Sequence, residues 1–145
     1  MQLVMHVAVE RQVDSPELGI TERMGSVTLP AEPASTRAAR RLLGKACAEG
    51  GLSDDLTDTA QLLTSELVTN AIIHGRSPLT VKTTLHDGLL RVEVGDDNSR
   101  HPELRLTDDR ALDGRGMHIV ALLAARWGVT DEPMGKTVWF ELTSS

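Results

Sequence analysis

The stretch LLTSELVTNAIIHG, residues 62–75, carries a glutamate and an asparagine one helical turn apart among apolar residues. With about 100° of rotation per residue, Glu66 lies about 40° and Asn70 about 80° around the axis from Leu62, inside the apolar arc that includes Leu63. A buried amide without partners costs about 1 to 3 kcal/mol, and an unpaired carboxylate costs more. The stretch therefore predicts a helix with two polar side chains that need a partner.

Two explanations fit this helix. In the first, Glu66 and Asn70 only cap or bridge neighbouring elements, because such pairs at helical spacing are frequent by chance. In the second, they belong to a metal and phosphate site, because carboxylate and amide oxygens are the hard ligands that Mg²⁺ combines with substrate phosphates. The rest of the chain must decide between the two.

Capping residues mark the helix boundaries on both sides of this stretch. Ser35 is predicted to cap a helix that ends before a pair of glycines, and Ser53 is predicted to cap the helix that runs to Gly75. A third helix is predicted to begin near residue 114 and to have Gly128 as its C-cap. The chain therefore contains about three helices.

Alternating apolar residues predict strands between and after these helices. A β-hairpin is expected over residues 78–96 with its turn at residues 86–88, and further strands over residues 26–29 and 135–143. Residues 97–113 are polar and predict a long loop, of the kind that often forms a lid. This order predicts an α+β sandwich, with a sheet covered on one face by helices.

Length and composition limit the domain count and the function. The 145 residues, 40% of them apolar, suffice for one core, so residues 26–145 are predicted to be a single domain and residues 1–25 an N-terminal strand or tail. The net charge of −6 argues against a nucleic-acid binder. Cys47 is the only cysteine, no H-E-x-x-H motif occurs, and no apolar run is long enough to cross a membrane. A cytoplasmic protein is expected.

Three later segments supply what a nucleotide site needs. The segment GRGMHIV, residues 114–120, opens a helix with Gly114 and Gly116, where free backbone N–H groups attract an anion. VEVGDD, residues 92–97, ends a strand in carboxylates, and GKTVWFEL, residues 135–142, opens another with glycine, lysine and threonine. Each segment alone is a weak signal, but their order after the helix favours the metal and phosphate site.

Together with SELVTNAIIHG, residues 65–75, these segments resemble the N box and the glycine boxes of the GHKL ATPases, the family of gyrase, Hsp90 and bacterial histidine kinases. Over residues 27–142 the chain is most similar to anti-sigma-factor serine kinases of the RsbW and SpoIIAB type and to small actinobacterial ATP-binding regulators. The resemblance implies a Bergerat-type two-layer sandwich, with a mixed, mostly antiparallel sheet covered on one face by about three helices.

The resemblance also implies ATP and Mg²⁺ as ligands, and a role for each matching residue. Glu66 would be the catalytic base or would orient the attacking hydroxyl, and Asn70 would bind the metal. Asp96 would accept the adenine amino group, with Thr137 supporting the base through a water. The implied nucleotide-binding residues are Asn70, Asp96, Gly114, Arg115, Gly116, Met117 and Thr137.

One box departs from the family pattern. Where many relatives have D-x-G-x-G, this chain has DDNSR, residues 96–100, without either glycine. Asn98 tolerates a left-handed backbone, so a turn there is compatible with the sequence. Asp97 is the alternative adenine partner if the register slips by one, although strand alternation favours Asp96.

Three functions are weighed. The first is an anti-sigma factor that uses ATP to phosphorylate a serine of a STAS-type antagonist, with the sigma factor and the antagonist as partners and a homodimer as one expected assembly. The second is a non-catalytic module whose protein interface is gated by nucleotide. The retained Glu66 favours the kinase, and the missing glycines favour the module. A dinucleotide-binding oxidoreductase is disfavoured, because its glycine motif must follow a buried strand and the preceding residues are polar.

Overall fold

Six strands make up the sheet of the computed structural model, which describes residues 6–15, 20–75, 77–97 and 112–144. The strands are β1 His6–Ser15, β2 Ile20–Leu29, β3 Leu79–His86, β4 Leu89–Asp96, β5 Arg126–Glu132 and β6 Gly135–Thr143. Their order across the sheet is β1-β2-β3-β4-β6-β5, and every described pair of neighbours is antiparallel. The mixed character expected of the sheet is therefore not found in these strands.

Three helices lie against this sheet, and they are α1 Ala34–Glu49, α2 Asp54–Gly75 and α3 Leu112–Leu123. The hydroxyl of Ser53 accepts the Leu56 N–H at 3.2 Å, which confirms the predicted cap of α2. Gly50 ends α1, and Gly51 follows in the left-handed region with a φ of 75°. A short connection of this kind keeps α1 and α2 adjacent.

One face of the sheet forms the core with the helices. Val92 and Val94 on β4 and Val138 and Phe140 on β6 are all buried, and they alternate with residues that face the other side. Helix α2 contacts β3, β4 and β6, while α1 and α3 pack on α2. The result is a two-layer α+β sandwich, so the predicted fold class is confirmed.

The β3–β4 hairpin has a two-residue turn. Asp87 and Gly88 both adopt positive φ, 48° and 78°, as a type I′ turn requires. This turn confirms the predicted hairpin and fixes its register, with Leu85 opposite Leu90 and Thr80 opposite Gly95. The carboxyl end of β4 is consequently at the end of the sheet opposite the turn.

Two capping predictions are wrong. Helix α1 begins at Ala34 after Pro33, whose φ of −55° already suits a helix, and the Ser35 hydroxyl donates instead to the Pro30 carbonyl oxygen at 2.6 Å. Gly128 is not a C-cap, because α3 ends at Leu123 and Gly128 lies within β5, a strand that was not predicted.

The N-terminal region contains more strand than the sequence indicated. The sequence predicts a strand or tail over residues 1–25 and a short strand at residues 26–29, whereas β1 and β2 are ten residues long each and pair along their length. The predicted division between residues 25 and 26 falls inside β2, and the two-part domain organisation stays a prediction. The predicted lid falls almost entirely on residues 98–111, outside the described residues; α3 already begins at Leu112.

Candidate functional site

Asn70 lies in the last third of α2, and its amide oxygen has no hydrogen-bond partner among the described residues. Its side chain is only 5% exposed, and no described donor reaches its Oδ1 atom. A buried carbonyl oxygen without a hydrogen bond costs about 1 to 3 kcal/mol, and such atoms are uncommon in native proteins. Because an amide oxygen is a hard ligand, Asn70 could hold Mg²⁺ or accept a donor from a bound molecule.

Glu66, one turn earlier on α2, meets α3 at Gly116. A Cβ atom added to Gly116 would lie 2.6 Å from the Glu66 Oε2 atom, so the carboxylate would have to move if residue 116 carried a side chain. Gly116 is itself buried. The contact places a carboxylate beside the first turns of a helix whose leading N–H groups lack intrahelical acceptors.

The remaining glycine-box positions are in the same part of α3. Gly114 and Arg115 are its third and fourth residues, and the Arg115 side chain lies outside the described part of the chain. Met117 is 1% exposed and belongs to the hydrophobic core. Its predicted nucleotide contact can therefore involve only its backbone.

Asp96 is paired with a residue that the sequence prediction did not include. Lys136 is directly opposite Asp96 across β4 and β6, and its Nζ atom lies 3.0 and 3.1 Å from the two carboxylate oxygens. Both side chains are only 2% exposed. They continue the rows of Val94 and Val138 on the helix-covered face, so this end of the core contains a buried ion pair.

Gly135 brings β6 against the end of β4. A Cβ atom on Gly135 would collide with the Asp96 carbonyl oxygen and would be 2.7 Å from the Asp97 Cα atom. Its φ of 154° is also one that residues with a side chain rarely adopt. The close approach that sets Lys136 opposite Asp96 therefore depends on glycine at residue 135.

Thr137 is not on the same side of the sheet as Asp96. It is opposite Gly95, its Oγ1 atom would be 3.4 Å from a Cβ atom placed there, and it donates to the Glu132 Oε1 atom at 3.3 Å. The structure thus brings Asp96 together with Lys136 rather than with Thr137. Asp97 is exposed, as strand alternation predicts, and Asn98 lies outside the described residues.

Lys136 could have been found from the sequence. Val138, Phe140 and Leu142 alternate as the apolar face of the last strand, and residue 136 is the next position on that face. The lysine was overlooked because a lysine near a strand end usually reaches solvent. The alternation of apolar residues along this strand indicates that the Lys136 side chain lies on the buried face.

An open cavity of about 560 Å³ lies at the other end of the sheet. It is lined by the α1–α2 connection, the β3–β4 turn and the end of β6, and none of the predicted site residues lines it. Within residues 6–15, 20–75, 77–97 and 112–144, no three His, Cys, Asp or Glu side chains cluster in a way that could hold a metal ion.

Comparison with known proteins identifies one family. The family model described as the histidine kinase-like ATPase domain matches residues 29–142, which span β3 to β6 and all three helices. No curated protein matches the chain. None of the helices in the described ranges is long and apolar enough to span a bilayer.

Proposed function

The chain belongs to the histidine kinase-like ATPase family, and from this premise we propose that it is an anti-sigma factor with ATP-dependent serine/threonine kinase activity. Its substrate would be a STAS-type antagonist protein, and its other partner a sigma factor, in the cytoplasm. Family membership supports the coarser role, an ATP-binding regulatory protein. The observation that supports the finer role is the buried Asn70 Oδ1 atom, which no described residue contacts through a hydrogen bond, one turn from the Glu66 carboxylate.

The proposed mechanism assigns one task to each group. Mg²⁺, when bound, neutralises charge on the phosphates. Asn70 would hold that ion through its side-chain oxygen, and the leading N–H groups of α3 would bind the phosphates. Glu66 accepts the proton of the attacking hydroxyl, and Gly116 leaves room for its carboxylate. Asp96 would accept a hydrogen bond from the amino group of adenine.

A binding experiment tests the ligand part of this proposal. We expect ATP binding, measured by calorimetry, to depend on Mg²⁺ in the wild type and to lose most of that dependence in Asn70→Ala. Thr64→Val is the matched control, because Thr64 lies in the same helix and its buried hydroxyl also lacks a described partner. Absence of ATP binding, or equal Mg²⁺ dependence in Asn70→Ala, would contradict the proposal.

A transfer experiment separates the kinase from the second candidate, a nucleotide-gated binding module. The segment DDNSR, residues 96–100, supports the module because it lacks the family glycines. With labelled ATP and a panel of STAS proteins, the kinase gives phosphoserine or phosphothreonine that Glu66→Gln abolishes while ATP still binds. Tight ATP binding with no labelled partner at all would favour the module.

A further inference from the structure

The outer side of α1 carries a concentration of positive charge. Its four exposed cations, defined here as the basic face, are Arg37, Arg40, Arg41 and Lys45. Three of them follow one another at four-residue intervals, so they lie on one side of the helix over about 12 Å. The opposite side bears buried residues at the same interval, which are Ala39, Leu43 and Cys47.

Helix stability does not account for the basic face. Like charges three or four residues apart repel each other on a helix, and cations near its N-terminus oppose the dipole. Helix α1 has no acidic residue in its first turn and no basic residue in its last turn. Within the described ranges, the only ion pair of the basic face joins Lys45 to Glu49 at 3.9 Å, with both side chains exposed. The three guanidinium groups therefore point to a partner outside this chain.

The chemistry of the basic face favours a protein with an acidic surface. A guanidinium binds a carboxylate through two parallel N–H···O bonds, and three of the four cations are arginines. A nucleic acid is disfavoured because the chain carries −6 in total and α1 has no aromatic residue on which a base could stack. An anionic membrane is disfavoured because none of the exposed large apolar residues in the described ranges lies on α1.

The basic face lies beside the helix that carries the proposed catalytic site. Helix α1 packs on α2, where the Thr36 and Thr69 hydroxyl oxygens are 3.5 Å apart. Thr36 directly precedes Arg37 in α1, and Thr69 directly precedes Asn70 in α2. A protein bound to the outer side of α1 is therefore one helix away from Glu66.

We infer that the basic face docks the phosphoacceptor protein through an acidic surface of that protein, which brings its hydroxyl within reach of Glu66. The inference rests on the proposed kinase function, and it adds the surface by which the kinase selects its protein substrate. The partner should present several carboxylates along about 12 Å. Because charge pairs at an interface are screened by salt, this docking should weaken as the salt concentration rises.

Transfer kinetics test the docking, with labelled ATP and a STAS protein as the acceptor. The double variant Arg37→Gln, Arg41→Gln should raise the KM for the STAS protein about tenfold or more, because two interfacial charge pairs are lost. The kcat at saturating STAS protein and the affinity for ATP should not change. The matched control, Lys82→Gln with Arg126→Gln, removes the same charge from the open face of the sheet and should leave the KM unchanged.

A second measurement needs no substitution and keeps the test valid if the double variant fails to fold. Raising the salt from about 0.05 M to about 0.3 M should raise the wild-type KM for the STAS protein several-fold, and a KM that does not respond to salt would contradict docking through charges. Retained ATP binding verifies that the variants fold.

The outcomes separate this inference from the proposed function. If no STAS protein is phosphorylated, the kinase function and the docking surface fail together. If transfer occurs with the same KM in the wild type and the double variant, or if the control raises the KM equally, only the docking surface fails. Wild-type binding to a DNA duplex or to anionic vesicles that the double variant abolishes would overturn the choice of a protein partner.

Discussion

Strands β4 and β6 carry two cross-strand ion pairs on opposite faces of the sheet. Arg91 and Glu141 are directly opposite each other on the open face, as Asp96 and Lys136 are on the covered face. In the outer pair, Arg91 is 28% exposed and Glu141 is 9% exposed, and Arg91 stacks 4.0 Å from the ring centroid of Trp139, whereas both inner side chains are 2% exposed. The outer pair therefore keeps contact with water mainly through its arginine, whereas the inner pair is almost fully buried on both sides.

This difference changes what each pair contributes. The outer pair gains less free energy from the attraction, because water at the exposed part of Arg91 screens it. A buried pair gains more from mutual attraction but must first offset the loss of hydration. We therefore interpret the outer pair as a modest support for the sheet and the inner pair as one in which each charge depends on its partner.

The largest expected effect comes from breaking the inner pair on one side. Lys136→Met leaves the Asp96 carboxylate buried without its ammonium, so the free energy of unfolding should fall by about 3 to 5 kcal/mol in urea titrations. The double variant Asp96→Leu, Lys136→Met should recover most of that loss, because no buried charge remains. A single-variant loss below about 1 kcal/mol would show that the inner pair behaves like a surface pair.

A smaller effect is expected on the open face of the sheet, where the Trp139 ring packs against Gly128. A Cβ atom on Gly128 would lie 2.8 Å from the Trp139 ring, so Gly128→Ala should displace that ring from its place beside Arg91 and destabilise the protein by about 1 to 3 kcal/mol. Trp139 fluorescence reports the displacement in a Trp127→Phe background. An unchanged emission spectrum would refute the close packing.

The smallest effect should follow from weakening the outer pair itself. Glu141 bridges Arg91 at 3.0 Å and Arg126 at 3.2 Å, so Glu141→Gln should cost about 1 kcal/mol at low salt and less at high salt. Glu93→Gln is the matched control, since Glu93 is 3.8 Å from Arg91 in a looser contact. A loss that is equally large in high salt would point to packing rather than charge.

The elements with local signals were the ones that the sequence predicted correctly. The Ser53 cap, the Asp87-Gly88 turn and the last strand depend on residues within a few positions of each other. Strand β5 depends instead on a distant partner, since Gly128 is held in the strand by pairing with Trp139 rather than by its own propensity. A glycine after an apolar helix is a common C-cap, which explains that error.

As with the fold, local sequence patterns indicated only part of the candidate site. The helical spacing of Glu66 and Asn70 and the alternation that favoured Asp96 are local patterns, and the structure places those side chains as the patterns suggest. Whether Thr137 or Lys136 accompanies Asp96 depends on which side chains share a sheet face. The alternation of Val138 and Phe140 in the same strand indicates that Lys136 shares the face of Asp96.

The position of β6 between β4 and β5 also has a consequence for folding. The β3–β4 hairpin closes through a two-residue turn, whereas β6 reaches β4 only after the chain from residue 97 to residue 134 has been closed as a loop. Since closing a long loop costs more chain entropy, β6 should dock later than the hairpin forms. Until it docks, the edge of β4 is open to pairing with another chain. The speed of this late step therefore sets how long newly made protein is exposed to aggregation.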